Sequence, residues 1–158
     1  MNRSHPRRLG VVLVSLSLAA IGCSAATVSP SGASGGDATT VAVTLQEWAV
    51  LPASDSVPAG EVTFTVANEG PVDVHEFVVL RTDLDPADLP TDEHGAVTEA
   101  GEGIEVIDEI EDIAVDASGE VTVTLEAGSY ILLCNIYDEG EDEAHYTMGM
   151  RVAFTATD

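Results

Sequence analysis

Apolar and polar residues alternate in several short segments from residue 41 onwards. In the segment 61–67, Val62, Phe64 and Val66 lie on one side and threonines lie on the other, which is the two-residue period of a half-buried strand. Turn signals such as Asn68-Glu69-Gly70-Pro71 follow the segments. Comparable segments occur at 41–45, 74–80, 120–125, 130–136 and 148–156. About seven short strands with little helix predict an all-β fold of the β-sandwich type.

One long stretch does not alternate. Residues 82–112 contain two prolines, three glycines and twelve carboxylates. Ile104, Val106 and Ile107 indicate one apolar segment within this stretch that docks on the rest of the domain. Long loops in compact domains are usually functional or disordered. We predict a long, partly ordered acidic excursion between two strands, and a second, shorter acidic loop at 138–143.

The first 22 residues have the order of a signal peptide. Arg3, Arg7 and Arg8 precede an apolar run of 13 residues, Leu9–Ile21, which is too short for an ordinary membrane span. The run ends in Ala-Ile-Gly-Cys, which resembles a bacterial lipobox with Cys23 as the lipidated residue. The Arg7-Arg8 pair also suggests twin-arginine export. The residues after it fit that motif only in part, so the Sec and Tat routes both stay open.

Cleavage before Cys23 would divide the chain into three parts. We predict a signal peptide at 1–22, a lipidated cysteine with a flexible linker at 23–40, and a folded domain at 41–158. The linker is predicted to be flexible because it consists largely of Ser, Gly, Ala and Thr. The domain is then exported and anchored by its lipid to the outer face of the cytoplasmic membrane, on the cell surface or the periplasmic side. Secretion without a lipid is the alternative.

Negative charge dominates the predicted mature chain. The whole sequence has a formal net charge of −23, with 28 acidic and 5 basic residues. Beyond residue 22 only Arg81 and Arg151 are basic, so 2 positive and 28 negative side chains give −26. Such a chain repels nucleic acid and anionic headgroups, so membrane contact must come through the lipid. The charge is explained by a solvated, salt-adapted surface or by a redox partner with a basic patch.

A thiol, an imidazole and a thioether lie close together near the end of the sequence. Cys134 follows a strand-like run, His145 comes after a gap of ten residues, and Met150 follows His145. His75 lies on the same face of a predicted strand as Phe77. Two imidazoles and one thiolate with a weak axial thioether form the site that blue copper proteins use for electron transfer. Because Cys23 is predicted to be lipidated, Cys134 is left as a free thiol.

The sequence around these residues resembles a known family. The stretch CNI…HYTMGM is similar to the Cys-Asn-x-x-x-His-x-x-x-x-Met loop of small type 1 copper cupredoxins, the plastocyanin and nitrosocyanin-like group. The HEF sequence at His75, after the turn NEGPVD, resembles the first-histidine strand of that family. The resemblance covers roughly Thr40 to Thr157. The loop between Cys134 and His145 is longer and more acidic than in plastocyanin-type members.

The resemblance implies a cupredoxin-like Greek-key β-sandwich that binds one type 1 copper through His75, Cys134, His145 and axial Met150. Met150 matches the family spacing, and Met148 is its competitor for the axial position. His145 is expected nearest the surface, with an exposed edge where electrons enter, and Asn135 is expected to hold the loop by a hydrogen bond. The implied function is a monomeric, non-enzymatic electron carrier with a redox partner protein.

Two other functions stay open at this point. The chain could store or deliver copper, although it contains no Met-rich or His-rich tract of the kind that favours trafficking. It could also be a metal-free cupredoxin-like module that binds a partner, although such a module does not need a complete ligand set. An oxidase or nitrite reductase activity is disfavoured because four histidines are too few for a multinuclear copper centre.

Overall fold

The computed structural model describes residues 38–158, which form eleven strands and one helical turn. The predicted signal peptide, Cys23 and most of the predicted linker lie outside the described residues. The elements, in chain order, are β1 Thr39–Gln46, β2 Ala49–Pro52, β3 Ser56–Pro58, β4 Gly60–Asn68, β5 His75–Arg81, β6 Glu105–Ile113, β7 Ser118–Leu125, β8 Gly128–Leu133, β9 Tyr137–Asp138, β10 Glu143–Ala144, α1 His145–Met148 and β11 Arg151–Thr157. Strand β1 therefore begins two residues before the predicted start of the domain. Within 38–158 no helix is long and apolar enough to cross a membrane.

Two main sheets make up the domain, as the alternating pattern predicts. One has the strand order β2-β1-β4-β7, and the other has the order β3-β11-β8-β5-β6. Most neighbouring strands are antiparallel, but β1 pairs with β4 and β3 pairs with β11 in parallel. Strands β9 and β10 form a separate two-stranded ribbon. The all-β prediction is confirmed.

The main core lies between the two large sheets and contains the alternating apolar residues. Phe64 of β4 packs against Phe77 of β5, with ring centroids 5.3 Å apart, and against Phe154 of β11, at 5.5 Å. All three phenylalanines are buried. Because β4 belongs to one sheet and β5 and β11 belong to the other, these aromatic contacts join the two sheets.

A second apolar cluster covers the outer face of the five-stranded sheet. Val78 and Leu80 of β5 are fully buried, although they alternate with the core-facing residues of the same strand. Leu89 and Val97 from the acidic excursion pack on them. The hydroxyl of Tyr146 donates to Pro86 O at 2.8 Å and accepts from Leu89 N at 3.1 Å. The excursion is therefore an ordered cover, held by apolar burial and by hydrogen bonds.

The sequence-based boundaries need three corrections. Residues 105–113 form strand β6, so the irregular part of the excursion ends at Ile104. Two register shifts in the β5–β6 pairing break the two-residue period of β6, which is why alternation did not reveal it. Strand β8 ends at Leu133 and places Cys134 just after it. The predicted last strand begins at Arg151, because Met148 belongs to the helical turn α1.

Candidate metal centre

Three predicted ligands come together at one end of the sandwich. His75 is the first residue of β5, Cys134 directly follows β8, and His145 is the first residue of α1. Strands β5 and β8 are antiparallel neighbours, with Val78 opposite Leu133. The beginning of β5 and the end of β8 therefore lie side by side at the same end of the sheet, which brings His75 close to Cys134.

The long acidic loop folds back on itself to deliver His145. Strands β9 and β10 pair within it, with Asp138 opposite Glu143. The Asp138 side chain accepts from Gly140 N at 2.6 Å, which closes the turn between the two strands. His145 N then donates to Ile136 O at 2.9 Å. The ten-residue gap is thus taken up by a hairpin, and His145 lies beside Cys134 despite the length of the loop.

The three ligand atoms form a compact triangle. His75 Nδ1 and His145 Nδ1 are 3.2 Å apart. Cys134 Sγ lies 3.3 Å from His145 Nδ1 and 3.9 Å from His75 Nδ1. With metal–nitrogen bonds of about 2.0 Å and a metal–sulfur bond of about 2.3 Å, a planar three-ligand set needs about 3.5 Å between nitrogens and about 3.7 Å from nitrogen to sulfur. The observed triangle agrees within a few tenths of an ångström, so the set fits one transition-metal ion.

Burial keeps this cluster uncharged in the absence of a metal. His75, Cys134 and His145 are exposed by 0%, 0% and 2% of their surface. Burial lowers the pKa of both imidazoles, and the neighbouring His145 lowers that of His75 further. Burial also raises the pKa of the Cys134 thiol to about 12, although Glu76 N donates to its sulfur at 3.3 Å. A metal that binds here must therefore displace the thiol proton.

The two candidate axial methionines have different surroundings. Met150 is fully buried. Its backbone joins the ligand residues, because Cys134 N donates to Met150 O at 3.0 Å and Met150 N donates to His145 O at 3.1 Å. Met148 exposes 40% of its surface. The burial and the backbone contacts favour Met150 over Met148.

His145 is the most accessible of the three predicted ligands, but its exposed edge is small. Only 2% of His145 is accessible. The half-buried ring of Trp48, from the turn between β1 and β2, packs against the imidazole edge-on with centroids 5.0 Å apart. Trp48 is also in contact with the main core. Nothing in the sequence indicated that Trp48 would pack against a predicted ligand.

A surface cleft of about 510 Å³ lies next to the buried histidine. Val72, Val74 and Ile136 give it apolar walls, and His145 itself contributes to the lining. Val72 is 74% exposed and Val74 is 42% exposed. Carboxylates also line the cleft, from Asp73, Asp112, Asp138 and Glu139. The surface closest to His145 is therefore apolar in part and strongly acidic.

Glu76 and Asn135 connect the ligand residues to the excursion. Glu76 Oε1 accepts from Asn135 N at 2.7 Å, and burial raises the pKa of the Glu76 carboxyl to about 7. The Asn135 side chain accepts from Val97 N at 2.5 Å and donates to Val97 O and Glu99 Oε1, both at 3.0 Å. Asn135 was expected to hold the Cys–His loop, but it holds the excursion against Cys134 instead. Glu76 was not predicted as a residue of the site, and its position next to His75 was the only feature of the sequence that pointed to it.

Comparisons with known proteins identify structural relatives only. No protein-family model and no curated protein sequence matches the chain. The chain is similar in structure to the dithionite-reduced auracyanin of Roseiflexus castenholzii, with 22% identity, a TM-score of 0.55, and coverage of 78% of this chain and 100% of that one. It is also similar to auracyanin A of Chloroflexus aurantiacus, described as a "blue" copper protein, with 20% identity, a TM-score of 0.50, and coverage of 77% and 100%.

A third similarity is to an azurin of Methylomonas sp. strain J, with 18% identity, a TM-score of 0.51, and coverage of 77% of this chain and 100% of that one. Likenesses at this level of identity show the fold. The domain therefore has the cupredoxin-type β-sandwich fold, and the predicted fold class is confirmed.

Proposed function

We propose that this protein is a type 1 copper electron carrier. The observation that carries the proposal is the buried triangle of His75 Nδ1, Cys134 Sγ and His145 Nδ1, with edges of 3.2, 3.3 and 3.9 Å. Thiolate ligands favour Cu(I), and imidazole accepts either oxidation state. Met150 is the proposed axial ligand. The description of auracyanin A as a "blue" copper protein, together with the shared fold, supports the same chemistry here.

The surroundings of the ligands suit electron transfer. When bound, copper supplies a one-electron couple. The ligand residues are held by β5, β8 and the backbone bonds among Cys134, His145 and Met150, so their positions change little when the charge of the site changes. Their burial limits the access of water and of substrates to the site. The same burial argues against rapid copper delivery, so we favour electron transfer over storage, trafficking or catalysis.

Addition of Cu(II) to the metal-free protein tests the proposal. Binding should produce one intense visible absorption band that saturates at one equivalent of copper, with a narrow copper hyperfine splitting in the EPR spectrum. The intense band arises because the thiolate sulfur transfers charge to Cu(II) on excitation. A protein that stays colourless with Cu(II) would refute the proposal, and metal-free partner binding would then account better for the fold.

Replacement of the axial ligand should change the reduction potential and preserve the colour. Met150→Leu removes a weak donor that stabilises Cu(II) more than Cu(I), so the potential should rise by about 59 mV for each tenfold loss of Cu(II) affinity relative to Cu(I). Met148→Leu is the matched control, since Met148 is partly exposed. Protein-film voltammetry of both variants measures the effect. A shift in Met148→Leu without one in Met150→Leu would reverse the axial assignment.

We also propose that the carrier is monomeric and works at the outer face of the cytoplasmic membrane, anchored through a lipid on Cys23. The order of basic, apolar and small residues in the first 23 positions supports export and lipidation. The Ser-, Gly- and Ala-rich segment up to residue 37 then serves as a tether. Such an anchor explains how a strongly acidic domain stays at an anionic membrane surface.

The redox partner should carry a basic patch. The acidic side chains that line the cleft beside His145, with apolar Val72 and Val74 between them, suit a cationic surface with an apolar centre. Electron exchange with a small cationic cytochrome should slow by roughly tenfold or more between about 0.01 M and 0.3 M salt. Stopped-flow kinetics measures this rate, with an anionic cytochrome as the control. Equal salt dependence for both cytochromes would assign the charge to solubility alone.

A further inference from the structure

We propose that Glu47 is a positioning residue for His75, which keeps the imidazole in the tautomer with a proton on Nε2 and presents Nδ1 to the metal. Its negative charge also favours Cu(II) over Cu(I) and thereby lowers the reduction potential. The statement about copper rests on the proposed function. The tautomer of His75 is a property of the metal-free protein and can be tested without copper.

The first observation is a contact between two buried polar groups. His75 Nε2 lies 3.8 Å from Glu47 Oε1, and the two side chains are exposed by 0% and 11%. His75 Nε2 and Glu47 Oε2 are both buried without a hydrogen-bond partner among the described residues. Buried polar groups are normally paired because an unpaired one loses its hydration without replacement. A small rotation of either side chain would let Nε2–H donate to the carboxylate and would pair both groups.

The second observation is that the Glu47 carboxylate is held in place. Its Oε1 accepts from Asp73 N at 2.7 Å and from Val72 N at 3.1 Å, in the segment that leads into His75. Burial alone would raise the pKa of Glu47, but these backbone bonds outweigh it and lower the pKa below its usual value. Gly70 leaves room for the carboxylate, since a Cβ there would lie 2.7 Å from Oε1 and 2.8 Å from Oε2. The segment before β5 is therefore folded around an ionised Glu47.

The tautomer decides whether His75 can bind the metal as the geometry requires. Burial lowers the pKa of His75, so the ring is neutral and carries one proton. Nδ1 is the atom that faces Cys134 Sγ and His145 Nδ1, so metal binding through Nδ1 requires the proton to be on Nε2. Metal-binding histidines commonly donate their second N–H to a carboxylate or carbonyl, which fixes the tautomer and makes the ligand nitrogen more basic. Glu47 is in the place to do this.

The metal-free test uses nitrogen-15 NMR of the imidazole rings. Wild-type His75 should show a protonated Nε2 and an unprotonated Nδ1. Glu47→Ala removes the acceptor, so we expect a mixture of the two tautomers. Glu69→Ala is the matched control, because Glu69 is an exposed glutamate in the β4–β5 connection that leads into His75, and it should leave the spectrum unchanged. A wild-type ring protonated on Nδ1, or an unchanged His75 signal in Glu47→Ala, would overturn the proposal.

The test with copper separates the effect of the negative charge of Glu47 from that of its hydrogen bonds. Glu47→Gln retains a carbonyl oxygen for Val72 N and Asp73 N and removes the charge. Cu(II) affinity should fall by about 10- to 100-fold, and Cu(I) affinity should fall less, so the potential should rise by about 59 mV per tenfold difference. Glu69→Gln controls for net charge. Equal potentials for the two variants would overturn the electrostatic role. If the wild-type protein binds no copper, the proposed function fails, and the NMR result still decides whether Glu47 positions His75.

Discussion

Cys134→Ser is expected to abolish the intense visible band of the Cu(II) protein completely and to lower copper affinity by at least about a hundredfold. The sulfur is the donor of the charge-transfer band, and a serine hydroxyl does not ionise at neutral pH. The substitution is close in size, and Cys134 is fully buried beside Met150 and His145, so the fold should persist. Absorption and EPR spectra during a Cu(II) titration measure the loss.

The other cysteine of the sequence provides the matched control. Cys23→Ser removes a thiol that is predicted to carry a lipid, and it should leave the band and the stoichiometry of one copper unchanged. A blue colour that persists in Cys134→Ser would contradict the thiolate assignment and with it the electron-transfer proposal. Loss of the colour in Cys23→Ser alone would locate the metal outside the buried triangle.

Cys23→Ala is expected to release the protein from the membrane fraction or to block its maturation. The lipid can be attached only to the cysteine of the Ala-Ile-Gly-Cys sequence, and the acidic domain has no other attraction to an anionic bilayer. Fractionation of cells that express the variant, with mass spectrometry of the N-terminal peptide, measures the change. Ser24→Ala is the control and should keep the anchor. Wild-type protein that lacks lipid mass and fractionates as Cys23→Ala does would favour simple secretion.

Sequence patterns located the strands in which apolar and polar residues alternate along the whole length. The segment 61–67 alternates without interruption, and the structure has β4 at Gly60–Asn68. Strand β6 has two register shifts against β5, so its apolar residues 106, 107, 110 and 113 follow no single period. A bulge depends on the partner strand, and no window of the sequence contains that partner. Local patterns therefore could not reveal β6.

The residues of the candidate site also fall into those that the sequence could predict and those that it could not. His75, Cys134 and His145 could be predicted because each ligand type has its own chemistry. The burial of His145 could not be predicted, since it depends on Trp48, which is distant in sequence and reaches the imidazole only after β1 is placed in its sheet. Glu76 and Glu47 resemble the many other glutamates of this acidic chain. Only their burial and their hydrogen bonds distinguish them.

The direction of β1 determines where a tether would be attached relative to the candidate metal centre. The strand starts at Thr39 and ends at Gln46, just before the turn that contacts both histidines through Glu47 and Trp48. At about 3.3 Å per residue, its length separates Thr39 from this turn by about 23 Å. A tether that ends at Thr39 is therefore attached at the end of the domain opposite the candidate metal centre. Anchoring would leave the acidic cleft facing away from its attachment point, accessible to a partner that diffuses above the bilayer.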